Sequence, residues 1–342
     1  MDLAATVYAP PRAKAPWRVE KLYAPAAVRL YGYGRVALAE ALRLAGAKGG
    51  RVLLPSFVCR DLLSAVAAAG AEPAFYGVKP DLSPQDDPSR WPDARAVLAV
   101  DYFGWPRDLA PFEAYARRCG AVVIEDAAHA LFSRAEDGRL LGTRAPLGIL
   151  SLRKSLPLPN GGALLANDPA LAARLPPQLP AEVLPGRRPA LKAAARPLLA
   201  LFGARAAHGG LTAMRGLRGD ASGHRGPDPE SESVLPAPAA PCPELERPLV
   251  CADPAVEASR RRALWTLCDG LARRAGLCPV FASLPDGVVP YGYALRTKDL
   301  PAARKVFASL GLTTLPWPDL PSATAGSAPE ADKTVALVHF LW

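Results

Sequence analysis

The chain is 342 residues long, 50% hydrophobic and 21% charged, with a formal net charge of +9. That composition can bury a large core and excludes a disordered chain, and at this length one large unit with a smaller companion is expected. The basic balance suits an acidic partner, for which a nucleotide-sugar diphosphate and nucleic acid both qualify, so charge alone does not choose.

The six cysteines contain no C-x-x-C pair and only four histidines are available to join them, so neither a zinc site nor a disulfide framework is indicated and no metal is expected. The N-terminus, MDLAATVYAPPRAKAP, lacks the uninterrupted apolar core of a secretory signal. No uncharged apolar run is long enough to span a bilayer, and a cytoplasmic protein with reduced thiols is expected.

Residues 1–25 are proline-rich and weakly patterned, an arm suited to packing on a neighbour. Residues 31–37 read YGYGRVA and run into ALAEALRLAGA, a helix closed by glycine. A glycine turn that opens a helix is a ready anion site, because unpaired N–H groups and the helix dipole point at it. GYGRVA also fits G-x-G-x-x-A, the start of a dinucleotide fold. That fold places a ribose-binding acid about twenty residues on, where this chain reads VLLPS at 52–56, with Asp61 the nearest aspartate.

Strands are expected over 51–54, 74–78 and 96–102, and helices over 61–70 and 109–119. Residues 121–124 form a short β-branched run that stops at Glu125 and Asp126, as a buried parallel strand does at its carboxyl end. A second run, 147–152, leads into Arg153 and Lys154, and a Pro/Asn/Gly turn precedes the apolar return at 163–166. Strands alternating with helices imply an α/β architecture, a mainly parallel sheet with helices on both faces.

Beyond Asp168 the pattern weakens. Residues 176–248 are rich in Pro, Gly, Arg and Ser and read as a linker or surface segment, with short helices possible at 189–207 and 210–217. A helix is expected over 254–275, with Val256, Leu264, Leu267 and Leu271 inward and Arg260, Arg261, Arg262, Arg273 and Arg274 mostly on a solvated face. A strand over 288–295, a helix over 300–310 and a strand over 313–317 follow, and LVHFLW closes the chain as a core segment.

Ligands of open α/β sheets bind at the carboxyl ends of the strands, which is where this pattern puts Asp126 and Lys154. A carboxylate and a lysine at neighbouring strand ends suit a structural ion pair or a pyridoxal phosphate site. In the second case the lysine forms a Schiff base with the cofactor aldehyde and the acid holds the ring nitrogen protonated.

Five segments carry a more specific likeness: LPSF at 54–57, AGAEPAFYGV at 69–78, DYFGWPRDL at 101–109, EDAAHA at 125–130 and SLRKSLPLPNGG at 151–162. In this order, over roughly 31–168, the chain resembles the DegT/DnrJ/StrS family of pyridoxal phosphate-dependent aminotransferases, of aspartate aminotransferase-like fold. EDAAHA followed by the lysine and double glycine is the specific part.

The resemblance implies a three-layer α/β/α large domain of transferase fold type I plus a small α/β C-terminal domain. The corresponding spans are an arm at 1–25, a cofactor-binding domain at 26–175, a connecting segment at 176–248 and a small domain at 249–342. It implies pyridoxal 5′-phosphate as cofactor, an amino acid such as glutamate or glutamine as donor, a keto acceptor such as a nucleotide-linked keto-sugar, and a homodimer. The phosphate would be held by the backbone amides of Gly34, Arg35 and Val36 and by the Ser151 hydroxyl, with Arg35 standing where the family usually has a small hydroxyl residue. Cys59 falls at the position of the ring that stacks on the cofactor, with Phe57 the second candidate. Asp126 would pair with the pyridinium nitrogen, His129 would contact the ring hydroxyl where many members carry Gln, and Lys154 would be the Schiff-base lysine and proton shuttle. A pyridoxal phosphate enzyme of elimination or decarboxylation and a non-catalytic binding protein on this scaffold are the alternatives. Retention of both Asp126 and Lys154 argues against the latter and against nucleic acid as its partner.

Overall fold

The computed structural model describes residues 13–184 and 229–340, so the short helices expected over 189–207 and 210–217 lie outside the described residues. A seven-stranded sheet has the order β1 (Ala27–Tyr31), β7 (Gly162–Ala166), β6 (Leu147–Leu150), β5 (Val122–Asp126), β4 (Ala96–Val100), β2 (Arg51–Pro55), β3 (Glu72–Tyr76). The run from β6 to β3 is parallel, while β7 pairs antiparallel with both β6 and β1. The mainly parallel α/β sheet expected from the alternation is therefore present.

Its central strands are buried on both faces, which is why they read as continuous apolar runs rather than alternating ones. The side-chain period of two still sorts them: Leu53, Val97 and Ala99 join the cluster on one face, Leu54, Ala96 and Leu98 the cluster on the other. Helix α1 (Gly34–Leu44) packs its alanine- and leucine-rich face into the second cluster. Helix α2 (Leu63–Ala68) follows β2 after a 3₁₀ turn, and α3 (Ala110–Cys119) ends at Gly120, whose φ of 73° is the left-handed conformation glycine tolerates.

Strand β1 has no counterpart among the sequence expectations. It is an edge strand, and beyond it the Gln178 side chain takes the place of a further strand: its Oε1 accepts the Leu30 amide at 2.8 Å and its Nε2 donates to the Leu30 carbonyl at 2.8 Å. The opposite edge, β3, carries Pro73 and exposed Glu72.

A second, four-stranded sheet has the order β10 (Thr313–Pro316), β11 (Val335–His339), β9 (Gly292–Arg296), β8 (Cys278–Pro279) and is antiparallel throughout. Helices α4 (Pro254–Arg274) and α5 (Leu300–Ala308) accompany it. One apolar cluster runs from Val97, Tyr102 and Phe112 of the first sheet's layer into Tyr293, Phe307 and Leu337 of the second, so the two sheets share a core. The described part of the N-terminal arm, residues 13–25, touches a later segment of this chain: Trp17 pairs antiparallel with Leu249, and its ring Nε1 donates to the Ala252 carbonyl at 2.8 Å.

Helix α4 buries Leu264 and packs Leu271 on the core as expected, but it differs from the expectation at other positions. Val256 and Leu267 are 43% and 40% exposed, whereas Glu257, Arg260 and Arg261 are buried. Both guanidiniums pair with Glu257, Arg260 at 2.7 Å and Arg261 at 2.6 Å, and such pairing is what makes burial of three charges tolerable. Arg261 is only 1% exposed, and it also donates to the carbonyls of Pro290, Tyr291, Ser155 and Phe340. It therefore ties the loop after Lys154 to the second sheet.

Candidate active site

A cavity of about 160 Å³ opens beyond the carboxyl ends of β2, β5 and β6. Gly34, Arg35, Cys59, Asp126, His129, Ser151 and Lys154 all line it, so the structure brings together seven of the eight residues named from the sequence.

Alternation at the end of β5 gives its two carboxylates different environments. Glu125, fully buried, binds Arg144 through the guanidinium at 2.6 Å and the backbone amide at 2.8 Å. Arg144 also reaches Asp101 at 2.9 Å. Burial, with Glu125 beside it, pushes the Asp101 carboxyl well above the usual range against the pull of Arg144. Asp126 instead borders the cavity and accepts the Ala128 amide at 3.0 Å. Burial raises its pKa, while Lys154 and the Ala128 N–H pull it down. His129 follows on a turn closed by Ala130 N–H to the Ala127 carbonyl at 2.9 Å, not on a helix.

Lys154 sits on a 3₁₀ turn, Leu152–Lys154, immediately after β6. Its Nζ lies 2.9 Å from His129 Nε2. Burial lowers its pKa against the raising influence of Cys59 and Asp126, and Arg153 adds to the lowering. Arg153 itself is exposed, its guanidinium 5.4 Å from the centre of the Tyr33 ring.

The opening turn of α1 abuts the end of β6. A Cβ on Gly34 would lie 3.2 Å from the Leu150 carbonyl oxygen, and one on Gly162 would lie 2.3 Å from the Tyr33 carbonyl carbon. The double glycine of the sequence motif thus lets β7 pass directly behind the helix start. Among the described residues the Gly34 and Arg35 amides make no main-chain hydrogen bond, as expected of the first positions of a helix. Val36 is a correction: its amide already donates to the Tyr33 carbonyl at 3.1 Å and its side chain joins the core, so it does not line the cavity. Ser151 is 5% exposed, and its hydroxyl has no hydrogen-bond partner among the described residues. Arg35 pairs with Asp61 at 3.3 Å.

Cys59 borders the cavity where a stacking ring was expected, its thiol pushed up by burial and by Asp61. Phe57 is fully buried against Tyr102 and Trp317 and is a core residue. The rings at the cavity that sequence reasoning missed are Tyr33, Tyr291 and Trp317. Tyr291 and Trp317 come from the second sheet's end of the chain, beyond the recognised motifs; the aromatic-proline runs PYGY and PWP were the only local signal. Arg60 holds that wall in place, binding Asp319 at 3.0 Å and the Leu320 carbonyl at 2.9 Å.

Comparison with known proteins agrees with the motif resemblance. Residues 31–177 match the DegT/DnrJ/EryC1/StrS aminotransferase family. Every strand of the seven-stranded sheet except β1 falls wholly inside that family match. The chain is 36% identical over 132 residues to a dTDP-4-dehydro-2,3,6-trideoxy-D-glucose 4-aminotransferase of Saccharopolyspora spinosa, covering 37% of this chain and 34% of that one. It is 30% identical over 150 residues to a pleiotropic regulatory protein of Geobacillus stearothermophilus, covering 42% and 40%. The chain thus spans about a third to two fifths of the length of these curated relatives. In fold it is similar to the sugar aminotransferase CalS13 of Micromonospora echinospora, at a TM-score of 0.58 and 18% identity, over 99% of this chain and 90% of that one.

The family's cofactor, pyridoxal 5′-phosphate, fits the donor set. Two unpaired helix-start amides and the Ser151 hydroxyl are suited to a phosphate, Asp126 to a ring nitrogen, and Lys154 to an aldehyde.

Proposed function

We propose that this chain is a pyridoxal 5′-phosphate-dependent aminotransferase that moves an amino group from an amino acid, glutamate or glutamine, to a keto acceptor carried on a nucleotide sugar, and that it works as a cytoplasmic homodimer. The observation that carries the reading is the convergence of Lys154, Asp126, Ser151, Gly34 and Arg35 on one cavity. When bound, the cofactor supplies an aldehyde and an electron-accepting ring.

The chain's own residues then have separable tasks. The Gly34 and Arg35 amides and the Ser151 hydroxyl anchor the phosphate end, with the helix start adding partial positive charge. The Asp126 carboxylate keeps a proton on the ring nitrogen, since an anion beside that cation favours the charged form of both. Lys154 Nζ, its pKa lowered by burial, takes the proton from the carbon bearing the amino group and gives it back during transfer. The second sheet's Tyr291 and Trp317 wall the cavity against water. The net charge of +9 suits a diphosphate-bearing acceptor.

The test begins with purified protein and added cofactor. A visible absorption band is expected that Lys154→Ala abolishes, followed by one equivalent of keto acid from glutamate or glutamine, and turnover when a keto-sugar nucleotide is supplied. No band in the wild type would end the reading. A band accompanied by ammonia or carbon dioxide release without amino transfer would move it to elimination or decarboxylation.

A further inference from the structure

His129 is fixed on every side. Its ring lies between those of Phe103, at 5.7 Å and 21°, and Tyr291, at 4.4 Å and 9°, with Trp317 at 5.3 Å. Its Nδ1 accepts the Phe103 amide at 3.4 Å. Phe103 delivers that amide from a left-handed backbone, φ 56° and ψ 11°, a conformation costly for a residue other than glycine and found where surroundings enforce it.

A ring nitrogen that accepts an N–H carries no proton, so a neutral imidazole here bears its hydrogen on Nε2. Neutrality follows from burial, the largest of the influences that push the His129 pKa well below the ordinary value; His339 adds to it, and Lys154 adds to it only when charged. Nε2 faces Lys154 Nζ at 2.9 Å. An ammonium has three donors and no acceptor, so only a neutral amine can receive this hydrogen.

We propose that His129, as the Nε2–H tautomer, donates to the Lys154 amine and holds that lysine neutral and aimed into the cavity before any cofactor arrives. His129 is thus a positioning residue for Lys154. The purpose of the contact rests on the aminotransferase reading; the contact itself belongs to the cofactor-free chain. The other groups acting on Lys154 divide: Cys59, Asp126 and Asp61 favour its charged form, Arg153 its neutral form, and the Tyr291 ring lies 5.8 Å from Nζ. Glutamine, the frequent alternative at this position in the resembled family, also offers an N–H.

Two measurements on full-length protein without cofactor test this. Long-range ¹H–¹⁵N spectra of histidine-labelled protein, assigned by the signal lost in His129→Gln, should show a protonated Nε2 and a bare Nδ1 at any pH above the apparent pKa of the Lys154 amine. In Lys154→Met the Nε2 signal should move. Competitive acylation of Lys154, read by mass spectrometry against pH, should give the same apparent amine pKa for wild type and His129→Gln. In His129→Met, close to glutamine in size but lacking both the donor and a charge, it should rise by about one unit or more, a tenfold loss of reactivity below that pKa. A protonated Nδ1 beside a bare Nε2, an imidazolium at neutral pH, or matching Gln and Met profiles would overturn the proposal. Failure to form a visible band with pyridoxal phosphate would instead strike the aminotransferase reading and leave these results standing.

Discussion

Replacing Arg261 with methionine removes a side chain that is 1% exposed, bonded to Glu257 at 2.6 Å and to the Tyr291 carbonyl at 2.9 Å, with longer contacts to the carbonyls of Ser155 and Phe340 at 3.4 and 3.5 Å. Breaking a buried pair from one side costs about 3–5 kcal/mol. Glu257 keeps Arg260 at 2.7 Å, which places the loss toward the lower end of that range. An unfolding entropy of about 2.1 cal/mol/K per residue over 342 residues is about 0.7 kcal/mol/K, so the thermal midpoint should fall by about 4–7 °C. Calorimetry on Arg261→Met beside Arg139→Ala, which breaks the solvent-exposed 2.7 Å pair with Asp137, makes the comparison. The exposed change should leave the midpoint where it was. Because the Ser155 and Tyr291 carbonyls flank Lys154 and the ring on His129, cofactor affinity should weaken in Arg261→Met as well. Equal midpoints for the two variants would refute the claim that Arg261 ties the lysine loop to the second sheet.

His129 should make the fold sensitive to acid: its folded pKa is depressed, so below about pH 6.5 the unfolded chain binds a proton that the native state refuses, and stability falls by up to about 1.4 kcal/mol per pH unit. Denaturant unfolding of wild type and His129→Gln between neutral pH and about pH 5 checks this, since the variant should show a shallower decline. Gly162→Ala should be poorly folded, because its Cβ would sit 2.3 Å from the Tyr33 carbonyl carbon and overpacking of this kind costs about 1–3 kcal/mol or more; soluble yield and melting point are the readouts. In α4, Leu264→Ala at a fully buried position should cost about 2–5 kcal/mol. Leu267→Ala, at 40% exposure, should be close to silent in the same unfolding assay, and comparable losses at both positions would restore the orientation read from the sequence.

The sheet and the cavity floor were legible because local signals coincide there. Buried parallel strands leave short apolar runs, and their carboxyl ends leave Asp126 and Lys154 within the recognisable EDAAHA and SLRKSLPLPNGG segments. The walls were not legible. Tyr291 and Trp317 arrive from more than a hundred residues downstream, by packing of the second sheet, and no spacing rule connects them to Lys154. Val36 failed because the third helical amide had already turned inward to Tyr33. In α4 a hydrophobic count treats Arg260 and Arg261 as surface, yet Glu257 lies three and four residues before them, and that spacing allows the charges to satisfy one another indoors. Strand β1 was missed because five residues containing Arg29 give too brief a signal.

The two rims of the seven-stranded sheet are closed by unlike means, and the outcome bears on how the protein behaves when crowded. On one side a single glutamine amide imitates the peptide group of an absent neighbour; on the other, Pro73 offers no N–H to an incoming strand and Glu72 brings charge. A stray extended peptide would find little to zip onto at either margin, which protects the molecule from ribbon-like self-association. Losing the amide of Gln178 would unguard one margin while leaving the residues that line the Lys154 cavity in place.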